Sequence, residues 1–177
     1  MVSPPSALET TIVEIERHVA QSGWDRPPVL FALVDTAELV SQEPALAETW
    51  GLSEAAAVPG ALTPIEQEPL EEGPLDEVLA GITWPAEVLG CAIVQEVLVL
   101  PPSAEAERPS EENAADWAAG HPDRREVRMG VAVLRDGSRA SALRVRAEGA
   151  DPTALDDVLV GPDLAPNLAD ALMDTLR

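Results

Sequence analysis

The sequence has few of the residue types that usually anchor a core or form a reactive site. Among its 177 residues there is no lysine and no tyrosine, only one phenylalanine and one cysteine, and aromatic residues make up 3%. With so few aromatic side chains, the core must be built from Leu, Val, Ile and Ala. The single cysteine, Cys91, excludes an internal disulfide and fits a reducing cytosol.

Long apolar runs and targeting signals are missing as well. No stretch approaches the roughly 18 apolar residues that a membrane helix needs. The first 21 residues contain neither the basic region nor the apolar region of a signal peptide. We therefore expect a cytoplasmic protein with no membrane partner.

Sequence motifs that would identify a catalysed reaction are absent too. There is no G-x-S-x-G, no P-loop and no dinucleotide fingerprint, and the two histidines, His18 and His121, belong to no His/Cys cluster with metal-ligand spacing. Cys91 lies within an apolar run, which favours a buried and inert packing residue over a nucleophile. We expect no cofactor or metal, and we favour a protein without catalytic activity.

The charge is strongly one-sided. The formal net charge is −21, from 32 acidic and 11 basic residues, and all the basic residues are arginine. Because phosphate neutralisation needs a basic surface, this charge argues against a nucleic acid partner. Plain solubility explains the acidity best, while a basic partner or nucleic-acid mimicry remain open. Six of the arginines nevertheless gather in residues 125–146, REVRMGVAVLRDGSRASALRVR.

Periodicity and turn residues predict an α+β fold. A helix beginning after Pro5 and ending near Gly23 has one apolar stripe, and we also expect these elements: strand 28–35, helix 41–51, edge strand 62–70, helix 73–84, central strand 87–102, hairpin 125–146 and helix 161–177. Together they predict one antiparallel sheet of four to five strands packed by three main helices. We expect a single globular domain over 1–177, with an exposed acidic connector at 103–123 that could be mobile.

The hairpin pattern selects its own register. A two-residue turn would place the valines of one strand on the same face as the arginines of the other. A three-residue loop, with Gly137 in the left-handed conformation, removes this conflict. It predicts one buried face, which consists of Val127, Met129, Val131, Val133, Ser141, Leu143 and Val145.

The opposite face places Arg128 directly across from Arg144, above a floor of Gly130 and three alanines. Like charges at such positions repel, so an anion should lie between them. We favour a carboxylate of the chain itself, from segment 66–77 or 105–116, over a ligand carboxylate or phosphate. Two further residues complete the candidate anion or partner site: Arg146 at the hairpin end, and Trp117 as an anchor in the connector.

The chain also resembles a known group of proteins. Blocks such as ITWPAEVLGCAIVQEVLVLPP and HPDRREVRMGVAVLRDGSRASALRVR look like an uncharacterised actinobacterial family of small acidic cytoplasmic proteins. The resemblance implies a cytoplasmic protein of unknown biochemical role. The element order is in addition similar to chaperone-like α/β sandwiches, in which a free sheet or edge binds peptide; that is an analogy of fold.

Three functions follow as hypotheses. The first is a non-enzymatic protein-binding or adaptor domain with an unknown protein partner. The alternative is a small-molecule or anion-binding protein, or an enzyme, that uses the arginine-lined face. The third is an acidic nucleic-acid mimic. An open strand edge or a flat apolar patch would favour the first, and a concave pocket with converging titratable groups would favour the second.

Overall fold

A computed structural model describes residues 7–52, 60–99, 125–145, 158–161 and 164–176. Five helices lie in these ranges: α1 (Ala7–Ala20), α2 (Thr36–Gln42), α3 (Pro44–Trp50), α4 (Leu75–Ala80) and α5 (Pro166–Thr175). The strands are β1 (Val29–Asp35), β2 (Leu62–Glu66), β3 (Gly90–Val99), β4 (Arg125–Leu134), β5 (Arg139–Val145) and β6 (Val158–Gly161). The predicted connector at 103–123 lies outside the described residues.

The six strands form one antiparallel sheet in the order β2-β1-β3-β4-β5-β6. The predicted α+β class is therefore confirmed, with one strand more than the upper expectation of five. The additional strand is β6, a four-residue segment too short to show a periodic pattern. The proline-containing β2 lies at the opposite edge, as expected for a strand that lacks one ladder donor.

Two helices, α2 and α3, replace the single helix predicted over 41–51. Helix α2 begins five residues earlier, at Thr36. The break lies at Glu43, whose φ of −129° and ψ of 67° leave the helical region. Pro44 is the cause, because proline disfavours the helical conformation of the residue before it and suits the first turn of a new helix. The final helix likewise begins at Pro166 rather than near residue 161.

Helices cover both faces of the sheet. On the α1 face, the stripe of α1 packs on side chains of β1, β3, β4 and β5; the predicted stripe residues Leu8, Ile12, Ile15 and Val19 are all buried. On the α5 face, α4 and α5 pack on Cys91, Ile93, Val131 and Val133. The central strand β3 is therefore covered on both sides, which explains its nearly continuous apolar sequence.

The hairpin has the predicted register. Met129 lies opposite Leu143 and Val131 opposite Ser141, and Gly137 in the turn has a φ of 95°. Glycine suits this position because a side chain would be strained there.

The burial of the predicted hairpin face is confirmed only in part. Val127, Val131 and Val133 are buried and Met129 and Leu143 are half-buried. The prediction was wrong for Val145, which is 37% exposed. Helix α5 packs on β4 toward the turn, and no described helix covers the far end of β5 on this face.

Candidate functional site

The arginine pair lies on the α1 face, under the helix. Arg128 and Arg144 occupy directly opposite positions on β4 and β5, and the predicted floor of small residues lies beside them. Helix α1 uses this space. A Cβ atom on Gly130 would lie 3.0 Å from Cδ1 of Ile12, so glycine permits the close approach of helix and sheet. The two guanidinium groups are thereby sealed from solvent, with Arg128 0% and Arg144 2% exposed.

A carboxylate from α1 neutralises the pair. Arg144 donates from Nε to Oε1 of Glu16 at 2.6 Å and from Nη2 to Oε2 at 2.9 Å, which makes a two-pronged ion pair. Arg128 donates from Nη1 to the same Oε1 at 3.3 Å. Glu16 is fully buried. Such a planar, bidentate arrangement is the strongest form of arginine–carboxylate contact.

The loop after α1 closes the cluster from the side. Arg128 donates to the carbonyl of Gly23 at 2.6 Å, and its guanidinium carbon lies 4.3 Å from the ring centre of Trp24. Glu96 lies on β3, directly opposite Arg128 of β4. Its carboxylate accepts hydrogen bonds from the backbone N–H groups of Asp25 and Arg26 at 2.8 and 2.9 Å. Two charged side chains of the sheet therefore hold this loop in place.

The prediction of an internal carboxylate is confirmed, but its predicted source was wrong. The acid that lies against both guanidinium groups is Glu16 of α1, because α1 is the element that packs on the small-residue floor; segment 66–77 does not contain it, and segment 105–116 lies outside the described residues. A signal for it exists in the sequence: Glu16 follows Ile12 by four residues and precedes Val19 by three, so it borders the buried stripe. Of the other two candidate residues, Arg146 and Trp117 both lie outside the described residues.

Two more hairpin arginines also bind parts of the chain itself. Arg135 donates to the carbonyls of Val88 at 2.8 Å and Pro85 at 3.1 Å, and to the carbonyl of Leu176 at the end of α5. Arg139 forms an ion pair with Asp170 on α5. The four hairpin arginines whose side chains are described thus tie α1, α5 and the loop before β3 to the sheet.

Cys91 is fully buried, as predicted. Its sulfur lies 3.5 Å from Oγ1 of Thr175 and 3.6 Å from the carbonyl oxygen of Leu172, and Trp84 donates to the same threonine oxygen at 2.9 Å. Burial raises the pKa of the thiol from 9.0 to about 11, because a thiolate would lose its solvation there. Its predicted inertness to reagents stays a prediction. Within the described ranges, no three His, Cys, Asp or Glu side chains cluster in a way that could hold a metal ion.

Exposed apolar side chains concentrate at the β6 end of the sheet. Four large hydrophobic residues are exposed in the described parts of the chain, and three of them, Val145, Val160 and Leu164, lie on β5, on β6 or just after it. The fourth is Trp50, at the end of α3. A groove of about 310 Å³ runs between α1 and β6, lined by Glu9, Thr10, Val13, Glu14, Arg17 and Val160.

A second groove lies on the other flank of α1, between the helix and β2. It has a volume of about 260 Å³ and is lined by Glu14, Ile15, His18, Phe31, Pro64 and Glu66. A third, of about 480 Å³, lies beside the hairpin turn and the end of α5. Arg135 and Arg139 line it, and both of them already contact the chain itself.

Comparison with known proteins places the chain in a family. The family described as PPA1309-like protein matches residues 8–177. The protein belongs to this family. Its match covers every described element except the first residue of α1, so it supports the resemblance to an uncharacterised family. No curated protein and no solved structure matches the chain significantly. In the described ranges no helix is long and apolar enough to cross a bilayer.

Proposed function

We propose that this PPA1309-like protein is a protein-binding domain that pairs an extended segment of its partner with the edge strand β6. The observation that carries the proposal is the exposure of Val145, Val160 and Leu164 around this edge. Exposed apolar side chains are typical of an interaction surface when they gather in one region, and these three flank the β6 edge, with Val160 on the α1 face and Val145 on the opposite face. A partner strand would hydrogen-bond to the outer side of β6 and place alternate side chains on the two faces.

The two edges of the described sheet differ in a way that favours β6. Strand β2 contains Pro64, which has no N–H group and interrupts pairing with a further strand. Strand β6, with the sequence VLVG, contains no proline and no charged residue. Edge strands of stable monomers commonly carry such protection. The lack of proline and charge in β6 suits a strand that receives a partner.

The surroundings of β6 suggest the chemistry of the partner. Val160 points to the α1 face, where it lines the groove with Val13 and with the acidic Glu14. The net charge of −21 attracts basic partners and repels acidic ones. We therefore propose a segment that alternates apolar and other residues and contains arginine or lysine, in a cytoplasmic protein.

The arginine-lined face supports the alternative functions less than the β6 edge supports protein binding. An outside anion would have to displace Glu16, which already holds both guanidinium groups in a buried site. An enzyme that used this face would need α1 to leave the sheet. Nucleic-acid mimicry stays a prediction, since the acidity on which it rests fits a basic protein partner equally well.

A random peptide library tests the proposal without a known partner. Peptides are selected for binding to the native protein, and the selected sequences are then measured against Val160→Glu and Trp50→Glu. The two side chains are equally exposed at 46%, but only Val160 lies on β6, so Trp50→Glu is a matched control. We expect extended, basic, apolar peptides whose affinity falls at least about tenfold with Val160→Glu and hardly changes with Trp50→Glu.

Two results would overturn the proposal. One is selection that yields no peptide, or peptides that respond equally to the two substitutions. The other is a native protein that sediments as a dimer and becomes monomeric with Val160→Glu, because β6 would then bind a second copy of the chain rather than a partner.

A further inference from the structure

The groove between α1 and β2 combines an apolar floor with an acidic rim. The floor consists of Ile15, Phe31 and Pro64, of which the first two are buried. The rim carries Glu14 on α1 and Glu66 at the end of β2, and both are exposed to solvent. His18 stands between the floor and the rim, with its ring edge-on to Phe31 at a centroid distance of 6.4 Å and its Nε2 4.0 Å from Oε1 of Glu66.

This combination suits a long cationic side chain. A lysine or arginine covers apolar surface with its methylene stem and keeps its charged end at a polar rim. A guanidinium group has two further advantages here: it loses hydration more readily than an ammonium group, and it can stack on a ring while it donates to carboxylates. The groove volume of about 260 Å³ is adequate for one such side chain but small for an organic ligand of ordinary size.

We propose that this groove binds an arginine side chain of a partner protein, between the carboxylates of Glu14 and Glu66. Charge complementarity selects this occupant, since the rim is acidic and the whole chain carries a net charge of −21. Pro64 in the adjacent edge strand disfavours strand addition, so the groove takes a side chain and not a strand. The groove site depends on the proposed protein-binding function in one respect only, which is that the arginine belongs to a protein. It does not involve β6.

The test uses N-acetyl-argininamide as the probe and N-acetyl-citrullinamide as its neutral, nearly isosteric control. NMR titration follows the amide signals of residues 14–18, 65 and 66. We expect saturable shifts with the arginine probe in the millimolar range, and much smaller shifts with the citrulline probe. Glu14→Gln and Glu66→Gln should each weaken binding about two- to fivefold, the range for an exposed ion pair.

Glu77→Gln is the matched control, because Glu77 is an exposed glutamate on α4, across the sheet from α1. Equal shifts with both probes, or equal weakening by Glu77→Gln and Glu66→Gln, would show general attraction to an acidic surface and overturn the site. Shifts at 158–161 without shifts at 14–18, 65 and 66 would contradict it as well. The peptide selection instead measures whether binding depends on Val160. Either proposal can therefore fail while the other stands.

Discussion

At the scale of single residues, Glu16 explains why so acidic a chain gathers arginines in its hairpin. Two like charges face each other across β4 and β5, and one buried carboxylate lies against both. Burial of such a cluster costs desolvation energy, and the ion pairs offset much of that cost only while all the partners are present. We infer that the cluster specifies where α1 lies on the sheet more than it adds net stability.

Replacing Glu16 by glutamine should be strongly destabilising. Glu16→Gln removes the carboxylate charge that lies against both buried guanidinium groups, and we expect a loss of about 3–5 kcal/mol in the free energy of unfolding by urea. Glu14→Gln changes the same residue type on the exposed face of α1 and should change stability by less than about 0.5 kcal/mol. Equal, small effects for both substitutions would mean that the buried ion pairs do not form.

Because of Cys91, the stability of the protein should fall at alkaline pH. Its folded pKa of about 11 lies above the unfolded value of 9.0, so the unfolded chain loses this proton first and stability falls as the pH rises from 9 to 11. The loss should be about 2–3 kcal/mol. The sequence has no lysine or tyrosine, so no other side chain ordinarily titrates in this window. Urea unfolding across this pH range tests the slope, which Cys91→Ala should abolish; an unchanged slope would assign it elsewhere.

At the scale of elements, the approach of α1 to β4 depends on Gly130. A larger side chain there would meet Ile12 first. We expect Gly130→Val to destabilise the protein by about 1–3 kcal/mol through overpacking. Ile12→Ala removes the contacted atoms, so the double variant should be more stable than the sum of the two single losses predicts. Additive losses in this cycle, measured by urea unfolding, would show that Gly130 does not set the helix position.

The elements that local pattern defines well could be predicted from the sequence. The stripe of α1, the apolar β3, the hairpin register and the glycine of its turn all follow from periodicity and from conflicts between neighbouring side chains. The split between α2 and α3 could have been predicted from Pro44, since the residue before proline avoids the helical region. Strand β6 could not, because four residues without alternation exist as a strand only through pairing with β5.

The carboxylate that binds the arginines could be predicted only in part from the sequence. The need for an anion was visible from the cross-strand positions of Arg128 and Arg144. Its identity depends on which helix packs on that face, which is a tertiary fact that no local pattern contains. Glu16 at the border of the α1 stripe was an available sign, because a glutamate that becomes buried needs a charged partner.

At the scale of the whole molecule, the net charge of −21 should oppose folding through repulsion among exposed carboxylates. Raising the concentration of sodium chloride screens this repulsion, so the urea midpoint should rise with salt. Glu14→Gln, which removes one exposed negative charge, should reduce this rise slightly. A midpoint that falls with salt would contradict the expectation, because exposed ion pairs would then outweigh the repulsion.

Chemical rescue decides whether the arginine cluster is a closed structural site or a receptor for outside anions. Glu16→Ala removes the carboxylate and leaves a buried space between Arg128 and Arg144, which acetate can fill. Melting temperatures are compared in acetate, phosphate and chloride at equal ionic strength, so that screening is constant. We predict that acetate raises the melting temperature of Glu16→Ala and leaves the native protein unchanged relative to chloride. If acetate or phosphate instead stabilises the native protein but not Arg144→Ala, the arginines bind outside anions and the account is wrong.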